Sequence, residues 1–214
     1  MAREGVPWTL GFFMATILLL LFSRRFSAEP LRYLGWTCGL VTILVAHFYR
    51  DPDRQPPEGQ HLVVSAADGK VGEVERGIRE DNYLQNEAVR VSLILSLWDV
   101  HINRIPISGR VELVRYFTGK FWPAFTRRGQ RENEHNLVGI RGDGGKILVK
   151  QMAGSLARRI VCRLHVGDAV VTGQKFGMIQ LGSRVEMFLP ESAKITVSAG
   201  DRVVAGETVV GVFQ

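Results

Sequence analysis

Two stretches without a single Asp, Glu, Lys or Arg open the chain: VPWTLGFFMATILLLLF at 6–22 and YLGWTCGLVTILVAHFY at 33–49. Each runs for about 17 residues, the lower end of what crosses a hydrocarbon core of about 30 Å as a helix. A cleaved signal peptide would share the basic start and apolar middle, but no A-x-A-like site follows the first run and a second comes almost at once. The pattern predicts a membrane-anchoring helical hairpin over 1–49, either spanning the bilayer or dipping into one leaflet. Its orientation stays open. The connector carries Arg24, Arg25 and Arg32, while Arg3, Arg50 and Arg54 lie on the other side, so basic residues flank both ends.

The rest reads as a soluble domain. A turn-rich linker, RDPDRQPPEGQ at 50–60, leads into 61–214, where short β-branched runs such as AVRVSLILS, GRVELVRYF and GKILVKQM alternate with glycine turns. That spacing predicts a mostly-β sandwich or barrel with few helices. Two distant cysteines, Cys38 and Cys162, provide neither a disulfide framework nor metal-ligand spacing, and fit a reducing, cytoplasm-facing domain. The net charge of +6 comes from scattered basic residues with no zinc-finger, RRM or helix-turn-helix pattern. Nucleic acid is therefore not an expected partner. Beside a membrane anchor, the charge is better read as attraction to anionic lipid.

An internal echo refines the β reading. VGDAVVTGQ (166–174) and AGDRVVAGE (199–207) share G-D-x-V-V-x-G, each Gly-Asp supplying a tight turn before a strand. Two such units packed together would form duplicated hammerhead-like halves, as in lipoyl and biotinyl carrier domains. A carrier presents a lysine at a hairpin tip between its halves. Here the corresponding middle is FGMIQLGSRVEMFLP, with Gly182-Ser183 at its centre. Glycine weakens a strand and marks a place where the backbone is approached closely.

FGMIQLGSRVEMFLP resembles the L-G-S segment of the phosphatidylserine decarboxylase proenzymes, in particular their short bacterial and archaeal form. AADGKV (66–71) resembles the family's A-D-G-x-V element, and LSLWDVHINRIPISGRV (95–111) its aspartate-x-histidine segment and following S-G-x-V. YFTGKFWPAF and ENEHN resemble its Y-x-x-G-x-F and E-N-E-R-N blocks, so ordered similarity runs from about residue 50 to the C-terminus. The resemblance implies an enzyme of phospholipid biosynthesis that makes its own prosthetic group. Ser183 Oγ would attack the carbonyl of Gly182 and turn the amide into an ester; β-elimination and hydrolysis would then leave a pyruvoyl group. The products would be a β chain of 1–182 and an α chain of 183–214. The pyruvoyl ketone would form a Schiff base with phosphatidylserine in the membrane and draw off electrons as carbon dioxide leaves, giving phosphatidylethanolamine. No metal or added cofactor is implied.

The same resemblance assigns roles. His101 matches the histidine beside the prosthetic group, suited to orient the substrate carboxylate or to move a proton. Asp68 matches the aspartate that orients the base for self-cleavage. Asp99, two positions before His101, would face the same way on a strand and support it. Larger members carry a second histidine three residues after the first; here that position is Arg104, which cannot act as a base at neutral pH. Either His101 serves both reactions or another group takes the proton. His135, replacing the family's usual arginine, is one candidate. Between Phe117 and Arg131, aromatics alternate with cations, which makes Phe121, Trp122, Arg127 and Arg128 candidate membrane or substrate contacts, against a core-packed loop as the alternative. The expected location is the cell membrane, with the domain on its cytoplasmic face, and a homo-oligomer stays open. Two competing functions are a membrane-anchored adaptor, which would remain one intact chain, and a pyruvoyl decarboxylase of a soluble amino acid, which would give the apolar hairpin no purpose.

Overall fold

The computed structural model describes residues 1–155, 159–180 and 184–214, and the chain separates into two compact units, Met1–Pro52 and Asp53–Gln214. The first unit is a helical pair, α1 (Val6–Phe26) and α2 (Glu29–Phe48), of 21 and 20 residues, each about 30 Å long at 1.5 Å per residue. Both carry proline in their first turn, where a missing N–H costs nothing. Ser27, left-handed at φ 51°, stops α1 and donates its N–H to the Ser23 carbonyl. Small residues let the helices meet: a Cβ on Gly35 would lie 2.7 Å from Leu20, and the Cys38 thiol reaches the Phe12 carbonyl at 3.4 Å. Most of the remaining apolar side chains of the pair are exposed, including Trp8, Phe13, Leu21, Trp36 and Ile43. Both helices are long and apolar enough to cross a membrane.

The second unit is mostly β. In chain order it comprises β1 (Leu62–Val64), β2 (Gly69–Glu80), β3 (Asn86–Ile94), β4 (Ile102–Arg104), β5 (Gly109–Phe117), the short helix α3 (Arg127–Glu132), β6 (His135–Gly142), β7 (Gly145–Met152), β8 (Arg159–Cys162), β9 (Ala169–Val170), β10 (Lys175–Gln180), β11 (Arg184–Pro190), β12 (Lys194–Ile195), β13 (Arg202–Val203) and β14 (Val209–Val212). A curled eight-stranded sheet runs in the order β13-β2-β3-β11-β7-β6-β5-β9; two three-stranded sheets, β1-β14-β12 and β4-β10-β8, accompany it.

β11 lies in the middle of the large sheet, paired antiparallel with β3 and β7. Val185, Met187 and Leu189 enter the main core, and the alternate residues Arg184, Glu186 and Phe188 face the other way. The strand is covered on both faces, so that Arg184 and Glu186 are buried along with its apolar residues.

The two copies of the echoed motif occupy opposite edges of this sheet. Gly167 N–H donates to Val111 O and Val111 N–H to Asp168 O; Gly200 N–H donates to Val71 O and Val71 N–H to Asp201 O. Each edge meets a glycine where no side chain fits. A Cβ on Gly69 would stand 2.5 Å from the Ile94 carbonyl oxygen, and one on Gly109 2.0 Å from that of Arg141. The side chain before each glycine caps the returning turn: Asp68 Oδ1 accepts from Ala205 N–H at 2.8 Å, and Ser108 Oγ from Thr172 N–H at 3.0 Å.

Candidate active site

Gly182 and Ser183, with Leu181 before them, lie outside the described residues; the chain is described up to 180 and again from 184. β10 delivers the chain to residue 180 and β11 takes it up at Arg184, which sits in register with Ile94 on β3 and Met152 on β7. Beside β10 lies the segment that carries His101. β4 pairs with β10 in the register Ile102 to Met178, and Ile179 N–H donates to the His101 carbonyl at 3.3 Å.

His101 is fully buried. Its Nδ1 is 2.9 Å from the Asp99 carbonyl oxygen, which can only accept, so Nδ1 carries a proton. The link to Asp99 is therefore through the backbone. The strand expected to contain both residues begins at Ile102, and Asp99 closes a turn instead. Its Oδ2 accepts from the N–H and the hydroxyl of Ser96, each at 2.7 Å, and its Oδ1 from Arg202 at 2.9 Å. Burial pushes the Asp99 carboxyl up, but the two Ser96 bonds and Arg202 outweigh it and hold it below its ordinary value.

Asp68 comes to the same place from the bend just before β2. Its carboxylate accepts from the Ala205 amide at 2.8 Å and from Arg54 Nη2 at 3.1 Å, and the nearby Val100 backbone, between Asp99 and His101, also favours its charged form. Burial dominates and raises the Asp68 carboxyl above its ordinary value, opposed by the Ala205 amide and the Arg54 charge.

Arg104 serves the frame. Its side chain, buried at 5% exposure, donates to the Gly173 carbonyl at 2.9 Å and packs over Gly206. His135 is on the opposite face of the large sheet from the core. It stacks on Phe117 with centroids 4.7 Å apart and lines a cavity of about 620 Å³ with Lys150, Glu186 and Arg127. Burial lowers its imidazole below the ordinary value, as it does the Lys150 amine. The fold thus gathers Asp68, Asp99 and His101 at the end of β10 and leaves His135 elsewhere.

The aromatic segment is partly ordered by α3. Thr126 caps that helix, Trp122 is half-buried beneath the Arg128 guanidinium at 4.0 Å and donates to Glu132, and Phe121 is also half-buried. Phe125, 69% exposed, and Arg127 face outward. Sequence reasoning missed a second exposed apolar turn, Leu97-Trp98, directly before Asp99; Trp98 is 66% exposed. Its signal is S-x-x-D around an apolar pair, a turn closed by a carboxylate. Among the described residues there is no cluster of three or more His, Cys, Asp or Glu placed to hold a metal ion.

The sequence pattern of the phosphatidylserine decarboxylase family matches residues 41–211. The chain belongs to the phosphatidylserine decarboxylase family. The phosphatidylserine decarboxylase proenzyme of Syntrophus aciditrophicus is 38% identical over 216 residues, covering 99% of this chain and 97% of its own. Those of Geotalea uraniireducens and Polynucleobacter asymbioticus are 39% and 40% identical, covering 99% and 97% of this chain and 96% and 92% of their own. As a member of the phosphatidylserine decarboxylase family the protein is a carboxy-lyase, and the relatives are proenzymes by name.

Proposed function

We propose that the protein converts phosphatidylserine to phosphatidylethanolamine with a pyruvoyl group made from Ser183, after self-cleavage of the Gly182–Ser183 bond into a β chain of 1–182 and an α chain of 183–214. The observation that carries this reading is the His101 carbonyl bonded to the Ile179 amide, which ties a fully buried imidazole to the strand running into the scissile pair. Once formed, the pyruvoyl ketone supplies an electron sink for the bond that breaks. The chain's own groups do the rest. His101, pinned through Nδ1, takes and returns a proton at Nε2. Asp68, whose carboxyl is buried near the Val100 backbone, holds that segment and its charge beside the histidine. The engagement of Arg104 with Gly173, and the position of His135 on the other face, favour His101 as the base in both maturation and decarboxylation.

The apolar helical pair of 1–49 anchors the enzyme to the cell membrane with its 61–214 domain on the cytoplasmic face. Phe121, Trp122, Arg127 and Arg128 form a contact with lipid, with Phe125 as the inserted side chain. The matched turns at the two edges of the large sheet are the trace of duplicated hammerhead-like halves. Intact mass measurement of the purified chain tests the central step. Wild-type protein should give a blocked fragment of 183–214, and Ser183→Ala should stay whole. An active wild-type enzyme that remained a single unbroken polypeptide would refute the reading.

A further inference from the structure

Three buried amides connect β6, β7 and β4. Asn136 Nδ2 donates to Gln151 Oε1 at 3.0 Å, and Gln151 Nε2 donates to Asn103 Oδ1 at 2.7 Å. All three residues are at most 2% exposed. The series ends on a donor, since Asn103 Nδ2 is buried and has no hydrogen-bond partner among the described residues. A buried amide of this kind is rare in a native fold unless something else in the working molecule accepts from it. The surroundings are built to present it. Gly177, opposite Asn103 in the β4–β10 register, leaves room for Gln151; a Cβ there would come within 3.1 Å of Gln151 Nε2. Asn103 is the middle residue of β4, two positions after His101 in the chain, and its neighbour Arg104 is occupied with Gly173.

We propose that the Asn103 carboxamide is a substrate-contacting residue: its Nδ2 donates a hydrogen bond to the carboxylate of the serine headgroup, and Gln151 is the positioning residue that turns the NH2 group toward it. This rests on the reading that the headgroup is handled beside His101. A neutral donor suits a carboxylate that must depart as uncharged carbon dioxide. A cation in its place would bind the starting charge more tightly than the transition state and slow the step.

The test uses the full chain in detergent, as wild type, Asn103→Asp and Asn103→Ala. Three quantities are measured: the extent of self-cleavage, kcat/KM for phosphatidylserine in mixed micelles, and inhibition by phosphatidylethanolamine, which has the amine and phosphate but no carboxylate. Both variants should cleave themselves, which also reports an intact fold. Their kcat/KM should fall about 10- to 100-fold, mostly through KM, as expected for one hydrogen bond to a charged group. Inhibition by phosphatidylethanolamine should stay within about twofold of wild type, since the lost bond is worth nothing to a ligand without the carboxylate. Unchanged kcat/KM, or equal weakening toward both lipids, would overturn the proposal and leave Asn103 bonding a water or serving the fold. Folded variants that stayed unbroken would also overturn it, by moving the donor to the scissile carbonyl. If a variant does not fold, Asn103→Ser, smaller and uncharged, is read the same way. An unbroken wild type would sink the proposed function and this assignment together, which separates that failure from a failure of Asn103 alone.

Discussion

At the scale of single residues, the site is a competition between burial and charge. Asp68 is raised by burial and restrained chiefly by the Ala205 amide and Arg54. Removing Arg54 takes away one restraint, so Arg54→Gln should shift the acid limb of the self-cleavage rate, followed by gel densitometry against pH, toward higher pH. A profile superimposable on wild type would count against Asp68 as the titrating group. His135 behaves in the opposite sense. Its folded-state pKa lies below the ordinary value near 6.5 because burial disfavours the imidazolium. The unfolded chain therefore binds its proton first, and the stability His135 contributes is present above pH 6.5 and lost as the pH falls through the lower folded value. Thermal melts between pH 7 and 5 should show a decline that His135→Gln flattens.

At the scale of elements, β10 and β11 show how far the sequence could be read. Their apolar runs and the charge-free stretches 6–22 and 33–48 within the two N-terminal helices were legible because each is a local pattern. The Asp99 side chain was misjudged because the alternation rule holds only on a strand, and the Ser96 cap turns that stretch into a loop. The partner of Arg104 was hidden for a different reason: Gly173 is far away in sequence and joined to it only by folding. The same holds for the buried amides of Asn136, Gln151 and Asn103. Gly177 is the tightest point of β10, since an added Cβ would lie 2.2 Å from the Val161 carbonyl oxygen. Gly177→Ala should part β8 from β10, costing about 1–3 kcal/mol in denaturant melts and slowing self-cleavage. The buried Arg184–Glu186 contact at 3.0 Å comes directly after Ser183 in the chain. Glu186→Leu should leave Arg184 with Glu73 as its remaining ion-pair partner and destabilise the fold by about 1–3 kcal/mol, read from the same melts.

At the scale of the whole molecule, the division between Pro52 and Asp53 separates a helical pair from a β domain with its own core. A chain lacking 1–52 should still fold and cleave itself but sediment poorly with anionic vesicles. Adding Phe125→Ser and Trp98→Ser should reduce the remaining sedimentation further if those exposed side chains meet lipid. The β domain also contains its own control. Asp68 and Ser108 perform the same capping task at the two sheet edges, so serine is already known to this architecture at that post. Transplanting the far edge's solution as Asp68→Ser should leave the scaffold standing while silencing whatever the carboxylate adds. One twin reports on construction, and the other on chemistry.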